Sequence, residues 1–101
     1  MRQLPVFLRE EAIGDLEEIY DFIVGNDGPP EVAIGFVRRI RQRCEKVGLV
    51  PEGGILRPDL GLGIRLVPFE KSAVIAYRIH DDAVEIVNVF HGGRDYEALM
   101  K

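Results

Sequence analysis

Five side chains in the second half of the chain carry the chemistry that the sequence offers: Arg65, Arg78, His91, Arg94 and Tyr96. Guanidinium groups hold phosphates and carboxylates through paired, planar hydrogen bonds. An imidazole changes charge near neutral pH and can move a proton there. A phenol can stack on a base or donate its hydroxyl. Grouped on one edge of a sheet, the five would make a phosphate-handling or target-contacting surface. The same residues also fit a purely structural role. Arg65 and Arg78 have Glu85, Asp81 and Asp82 available for cross-strand pairing. His91 can simply end a strand, and Tyr96 can pack the tail onto the core. An unanchored cluster of His and Arg is a weak signal by itself.

The elements that must position these residues are three strand-like runs, GIRLVPF (63–69), SAVIAYRI (72–79) and AVEIVNVFH (83–91). The links between them, Glu70-Lys71 and His80-Asp81-Asp82, are so short that only antiparallel neighbours are possible. The second run is apolar on both faces, which predicts a central strand. Pro68 removes a ladder donor and places the first run near an edge, or kinked at its end. His91 should then lie near the start of the second strand and the end of the first. Strict alternation puts His91 on one face with Val87 and Val89, and Arg65 with Val67 and Phe69. Register, and with it whether Arg65 meets His91, is not fixed by the sequence. Tyr96, Leu99 and Met100 fall at helical spacing and predict one or two turns in the tail.

Upstream, LPVFLRE alternates as a short strand, with Val6 and Leu8 on one side and Phe7 on the other. Residues 10–25 place Ala12, Leu16, Ile19, Tyr20 and Ile23 on one helical face. Glu10 and Glu11 favour the positive end of that helix. The run GNDGPP stops it, since Gly25 can cap the helix end and the prolines cannot continue it. A second helix starts at the prolines and runs to about Val47, with Ala33, Phe36, Val37, Ile40, Cys44 and Val47 as its apolar stripe. Its other face carries Arg38, Arg39, Arg41, Arg43 and Lys46. An acidic helix turned tightly onto a basic one predicts a helical hairpin. The stretch GLVPEGGILRPDLGLG (48–63) reads as a loop, long enough in a small domain to suggest a function. The expected architecture is α+β: a strand, a helical hairpin on one sheet face, a three-stranded antiparallel meander and a short helical tail.

With 101 residues the chain is one domain, 1–101, with a modest core and little room for an enclosed cavity. The net charge of −4 argues against a protein that lives on nucleic-acid phosphates, so direct nucleic-acid binding is expected to be weak or absent. No apolar run reaches membrane-spanning length, and MRQLPVFLREE lacks the apolar stretch of a secretion signal, so no membrane role and a cytoplasmic location are expected. One cysteine, Cys44, forbids an intrachain disulfide, and with only His80 and His91 beside it no metal site is expected. Cys44 sits on an apolar stripe and reads as a buried thiol. No cofactor is expected either: GGILRPDLGLG lacks the phosphate-loop pattern and precedes a strand.

Three stretches taken in order resemble the RelE/ParE toxin superfamily, and its ParE branch most closely: LREEAIGDLEEIYDFI, RPDLGLGIRLVPFEKSAVIAYRI and VEIVNVFHGGRDYEALM. The resemblance covers nearly the whole chain. Its most specific parts are Gly63-Ile64-Arg65, Tyr77-Arg78 and the ending Val89-Phe90-His91-Gly92-Gly93-Arg94-Asp95. It implies the toxin of a type II toxin–antitoxin pair, with a strand–helix–helix–meander fold. ParE-like toxins act on DNA gyrase and trap it on cleaved DNA. RelE-like toxins cut messenger RNA on the ribosome with Arg and Lys side chains and a His or Tyr near the C-terminus. Both are silenced by a small antitoxin whose C-terminal segment wraps the toxin.

Carried onto this chain, the resemblance makes Arg65, Arg78, His91, Arg94 and Tyr96 the target-contacting set. In a ribonuclease, Arg65 and Arg94 would hold the phosphate while His91 or Tyr96 moved protons. The antitoxin would lie on the hairpin, against Leu16, Tyr20, Ile23, Phe36 and Ile40. Two features depart from the family. Arg9 stands where a Ser or Thr helix cap is usual, at a cost of about 1 kcal/mol. The chain is also acidic, whereas ribosome-acting relatives are strongly basic, and near the meander only Lys71 adds a lysine. A nuclease must hold a polyanion and neutralise charge in the transition state. The expected function is therefore gyrase inhibition without catalysis, with a cognate ParD-like antitoxin as partner. The alternatives are a RelE-like ribonuclease and a diverged, non-toxic member that still binds antitoxin.

Overall fold

The computed structural model describes residues 2–93 and 95–100. Arg94, one of the five residues singled out above, lies outside the described residues. The chain forms β1 (Val6–Leu8), α1 (Glu10–Gly25), α2 (Pro30–Val47), β2 (Ile55–Leu56), β3 (Arg65–Phe69), β4 (Ala73–Ile79), β5 (Val84–His91) and α3 (Tyr96–Met100). Two single 3₁₀ turns, Pro51–Gly53 and Pro58–Leu60, flank β2. The five strands make one mixed sheet in the order β1-β5-β4-β3-β2. The predicted meander is present, β4 is central, and Pro68 lies on the strand next to the edge. Two pairings were not expected. The short β2 adds to β3 inside the stretch read as loop, and β1 pairs in parallel with β5 across the whole hairpin. Parallel neighbours need such a crossover, so their sequences lie far apart.

The helical hairpin covers one sheet face. Ala12, Leu16 and Ile19 of α1 and Ile40, Cys44 and Val47 of α2 meet Val67, Ile75, Tyr77, Val84, Ile86 and Val89 from the strands. Burial pushes the Cys44 thiol up to about 12, so it stays protonated and inert at neutral pH. The opposite face is covered only by short pieces. There Leu66, Ala76, Val87 and Phe90 pack under Leu60 and Ile64 of the 57–64 loop and Tyr96 and Met100 of α3.

Tyr77 locks the loop before β2 to the sheet. It is wholly buried, its hydroxyl donates to the Pro51 carbonyl at 2.7 Å, and it accepts from the Gly54 amide at 2.8 Å. A Cβ on Gly54 would come within 2.5 Å of that hydroxyl oxygen, so only glycine fits there. Burial raises the Tyr77 pKa, which keeps the phenol in its donating form.

A β-bulge in β5 changes which residues share a face. Ala76 of β4 lies opposite Asn88 and Tyr77 opposite Ile86, which leaves Val87 as the extra residue. Strict alternation would group Val87 with Val89 and His91. Instead Val87 faces the helix-free side with Phe90, while Ile86 and Val89 face the helices. The first turns of α1 satisfy the backbone that the bulge leaves open. The Arg9 Nε donates to the Val87 carbonyl at 2.8 Å, and the Val89 amide donates to Asp15 Oδ2 at 2.8 Å. Asn88 bridges the two, donating to Asp15 at 3.0 Å and accepting from Arg9 at 3.3 Å. Arg9 provides no side-chain cap to α1, as expected. It serves the sheet instead.

Asp15→Ala leaves the Val89 amide and the Asn88 side chain without their acceptor. It should cost roughly 1–3 kcal/mol in urea denaturation. In native-state hydrogen exchange the Val89 amide should lose protection selectively, with β4 amides less affected. Unchanged protection at Val89 would show that the bulge holds without this clamp.

Candidate functional site

The structure does not assemble the five sequence-selected residues at one place. Arg65 lies at the start of β3 opposite Tyr77, and His91 at the end of β5 opposite Ala73. Phe69, not Arg65, is the β3 residue level with His91 across Ala73. Four residues of strand, roughly 13 Å, separate the two positions along β3. Arg65 donates to the carbonyls of Gly54 at 2.9 Å and Glu52 at 3.1 Å. Arg78 donates from Nε to the Leu62 carbonyl at 2.9 Å and sits 3.7 Å from Glu85, the residue opposite it on β5. Both arginines thus brace the 48–64 segment against the meander. The cross-strand pairing of Arg78 with Glu85 is the structural alternative that the sequence left open.

His91 and Tyr96 both lie at the other end of the meander, Tyr96 on the helix-free face with Phe90 and His91 against α1. They line an open cleft of ≈330 Å³ with Lys71, Ser72, Val74 and Phe90. Tyr96 stacks on Phe90, with ring centroids 6.1 Å apart. His91 meets Phe22 of α1 edge-on, at 4.9 Å between centroids. The sequence reading missed Lys71 as a member of this site. The turn that carries it has an unusual backbone. Glu70 and Lys71, the first two of the three residues between β3 and β4, both have positive φ, 48° and 59°. A hairpin turn of this hand normally uses Asn-Gly. Each residue with a Cβ costs roughly 1–2 kcal/mol in this conformation.

The turn is held from the helix side. Arg39 of α2 makes a bidentate ion pair with Glu70, 2.8 Å from Nε and 3.0 Å from the second nitrogen. The Arg39 guanidinium also lies over the Phe36 ring at 5.6 Å, and Phe36 packs on Phe69 at 6.0 Å between centroids. The hydrogen bonds from Arg39 lower the Glu70 pKa below its ordinary value.

A second concave surface lies on the hairpin. A groove of ≈370 Å³ runs between α1 and α2, lined by Ile13, Leu16 and Tyr20 on one side and Ile34 and Val37 on the other. Glu17, Arg38 and Arg41 edge it. Of the set expected to face an antitoxin, Leu16 and Tyr20 line this groove, and Ile23, Phe36 and Ile40 do not. Ile40 is 0% exposed and Leu16 4%, because the regular apolar stripe is what the core takes. Ile23 and Phe36 pack partly against the same core. Tyr20 lines the groove, and Ile13 and Ile34, nearly half exposed, belong to it. They lie off the stripe, which is why periodicity did not select them.

Residues 6–96 match the family described as the ParE toxin of the type II toxin–antitoxin system parDE. The fold is similar to that of a solved chain described as "Chromosomal ParDE TA system from P. aeruginosa". The two are 24% identical, with a TM-score of 0.76 over 88% of this chain and 96% of that one. No curated protein matches the chain.

The Arg39–Glu70 pair has a defined pH signature. Because the Glu70 pKa is lowered in the folded chain, the pair contributes stability above the ordinary carboxylate pKa of 4.5. That contribution is lost as pH falls through the lower, folded value. A carboxyl titration followed by NMR should place the Glu70 midpoint below 4.5, and Arg39→Ala should return it toward 4.5. An unshifted midpoint in the unaltered chain would mean that the pair does not form in solution.

Proposed function

The chain belongs to the ParE family of type II toxins, and from that premise we propose that it poisons DNA gyrase by binding, without catalysis of its own, and that a cognate ParD-like antitoxin silences it. The observation that carries this reading is the use made of Arg65 and Arg78. Arg65 Nη1 donates to the carbonyls of Glu52 and Gly54, and Arg78 Nε donates to that of Leu62. These bonds hold both guanidiniums against the 48–64 segment, and turning either one fully onto a phosphate would leave those carbonyls unpaired. The net charge of −4 supports the same conclusion, since a ribosome-acting nuclease must hold a polyanion. The RNA-cutting alternative would draw on the cleft that His91 and Tyr96 both line, although the His91 Nε2 is buried.

Silencing by an antitoxin is supported by the hairpin groove. Its floor is apolar and its α2 edge carries Arg38 and Arg41. That combination suits an amphipathic helix laid in the groove with acidic residues along one flank. The cytoplasm is the location this reading requires, and no described helix is long and apolar enough to cross a membrane.

Purified toxin added to gyrase and supercoiled plasmid should accumulate cleaved DNA and leave mRNA intact in a translating extract. Cut mRNA, with His91→Ala abolishing the cutting, would replace this reading with the ribonuclease one. For the second half of the proposal, Ile34→Glu places a charge in the groove floor. It should weaken capture of the toxin by the antitoxin from the adjoining reading frame at least about tenfold, the effect of 1.4 kcal/mol. Undiminished capture would move the antitoxin off the groove.

A further inference from the structure

The turn between β3 and β4 holds Glu70 and Lys71 in a backbone conformation that glycine or asparagine would adopt with less strain. Glu70 is accounted for by Arg39, which draws its carboxylate toward the helices. Lys71 is not accounted for by the fold. Among the described residues its side chain has no hydrogen-bond or ion-pair partner, yet it lines the cleft with Ser72, His91 and Tyr96. The one carboxylate next to it in sequence is neutralised by Arg39. No Asp or Glu is among the described residues lining the cleft. A strongly acidic chain therefore presents a cleft with a cationic rim and apolar walls, made by Pro68, Val74, Phe90 and Tyr96. A lysine kept in a strained turn position, with its side chain unused by the fold among the described residues, points to a contact made with something else.

We propose that Lys71 is the cationic anchor of a target-binding cleft, and that the occupant is an acidic segment of a protein. An apolar side chain of that segment would sit against Phe90 and Tyr96, with a neighbouring carboxylate on the Lys71 ammonium. The complementarity of charge favours a protein over a nucleic acid. One lysine suits one carboxylate, whereas a nucleic-acid backbone needs several cations along its length. This inference rests on the toxin reading for the existence of a target, but it does not depend on that target being gyrase.

The test uses Lys71→Gly, which removes the anchor and relaxes the turn together. The variant should gain about 2–6 °C in thermal midpoint. It should nevertheless lose growth arrest in cells and reduce toxin-induced gyrase cleavage at least about tenfold, with Lys71→Arg restoring most of both. Asp27→Gly relaxes a residue with φ 66° at the helical turn and serves as the control for stabilisation alone; it should leave arrest intact. Lys71→Gly that arrests growth as well as the unaltered chain overturns the proposal, and so does one that loses stability. If the unaltered chain arrests growth without gyrase cleavage and Lys71→Gly abolishes the arrest, the gyrase reading falls and the cleft stands. If gyrase cleavage occurs and Lys71→Gly leaves it unchanged, the cleft falls and gyrase stands. Arrest traced to cut RNA overturns the acidic-protein occupant, and a chain that arrests nothing overturns both readings.

Discussion

The bulge at Val87 is the constraint on which the two faces of this sheet depend. In a regular strand, Ile86, Asn88 and Phe90 would share a side. The extra residue breaks that sequence, so Ile86 and Val89 face the helices and Phe90 faces away. Without it, the phenyl ring that Tyr96 stacks on would point under the hairpin, and the wall of the cleft would be lost. A bulge exposes backbone groups that must be satisfied. Here Arg9 takes the Val87 carbonyl and Asp15 takes the Val89 amide. Both residues come from the start of α1, so one helix end is fixed to the sheet at the point where its alternation reverses. The absence of a Ser or Thr cap at position 9 follows from this. A short hydroxyl would serve the helix end, but it would not span from α1 to β5.

The same sheet divides its work between two ends. At the end of Arg65, Tyr77 and Arg78, side chains are consumed in holding the segment 48–64, which contains the short edge strand β2. At the end of His91, the strands open onto a cleft that one short helix and a tight turn border. That turn keeps its left-handed residues because α2 over-determines it through the Arg39–Glu70 pair and the contact of Phe36 with Phe69. The pair is exposed, and such pairs contribute little stability individually. Its value is geometric, since it fixes which way Glu70 points and keeps that carboxylate from Lys71, which lines the cleft.

These differences in role explain what could be read from the sequence. Ala12, Leu16, Ile19, Ile40 and Cys44 repeat at helical spacing and were legible as a core, as were the three meander strands between their two short links. The ParE-like fold followed from these elements and from the motifs together. The bulge was not legible, because Val87, Asn88 and Val89 alternate as well as any regular strand does. Its clamp joins residues more than 70 positions apart. Nor did Arg65 and Arg78 reveal their partners, because the carbonyls they bind belong to Glu52, Gly54 and Leu62 whatever those side chains are. β2 was hidden by the glycines and prolines around it, and the parallel pairing of β1 by the length of the crossover. The groove residues Ile13 and Ile34 lie off the helical stripe that marks Ile40, because periodicity selects what the core buries.

The positions of the groove and the cleft bear on how one partner could control the other. The groove lies between the helices, and the cleft lies beyond the end of the meander, so an antitoxin seated only in the groove would leave Lys71 and Tyr96 uncovered. The two surfaces are nevertheless linked through one contact. Phe22, two residues after Tyr20 on α1 and 52% exposed, rests edge-on against His91, which lines the cleft. A chain that left the groove along the last turn of α1 would reach Phe22 first and His91 next. Occupying the cleft from there requires that chain to offer what the target is proposed to offer, an apolar side chain beside a carboxylate. Under the two proposals together, inhibition would be competition for the same anchor, with the groove supplying the affinity and the cleft the blockade. Two tethered contacts act as one tight site when their spacing matches the span between them.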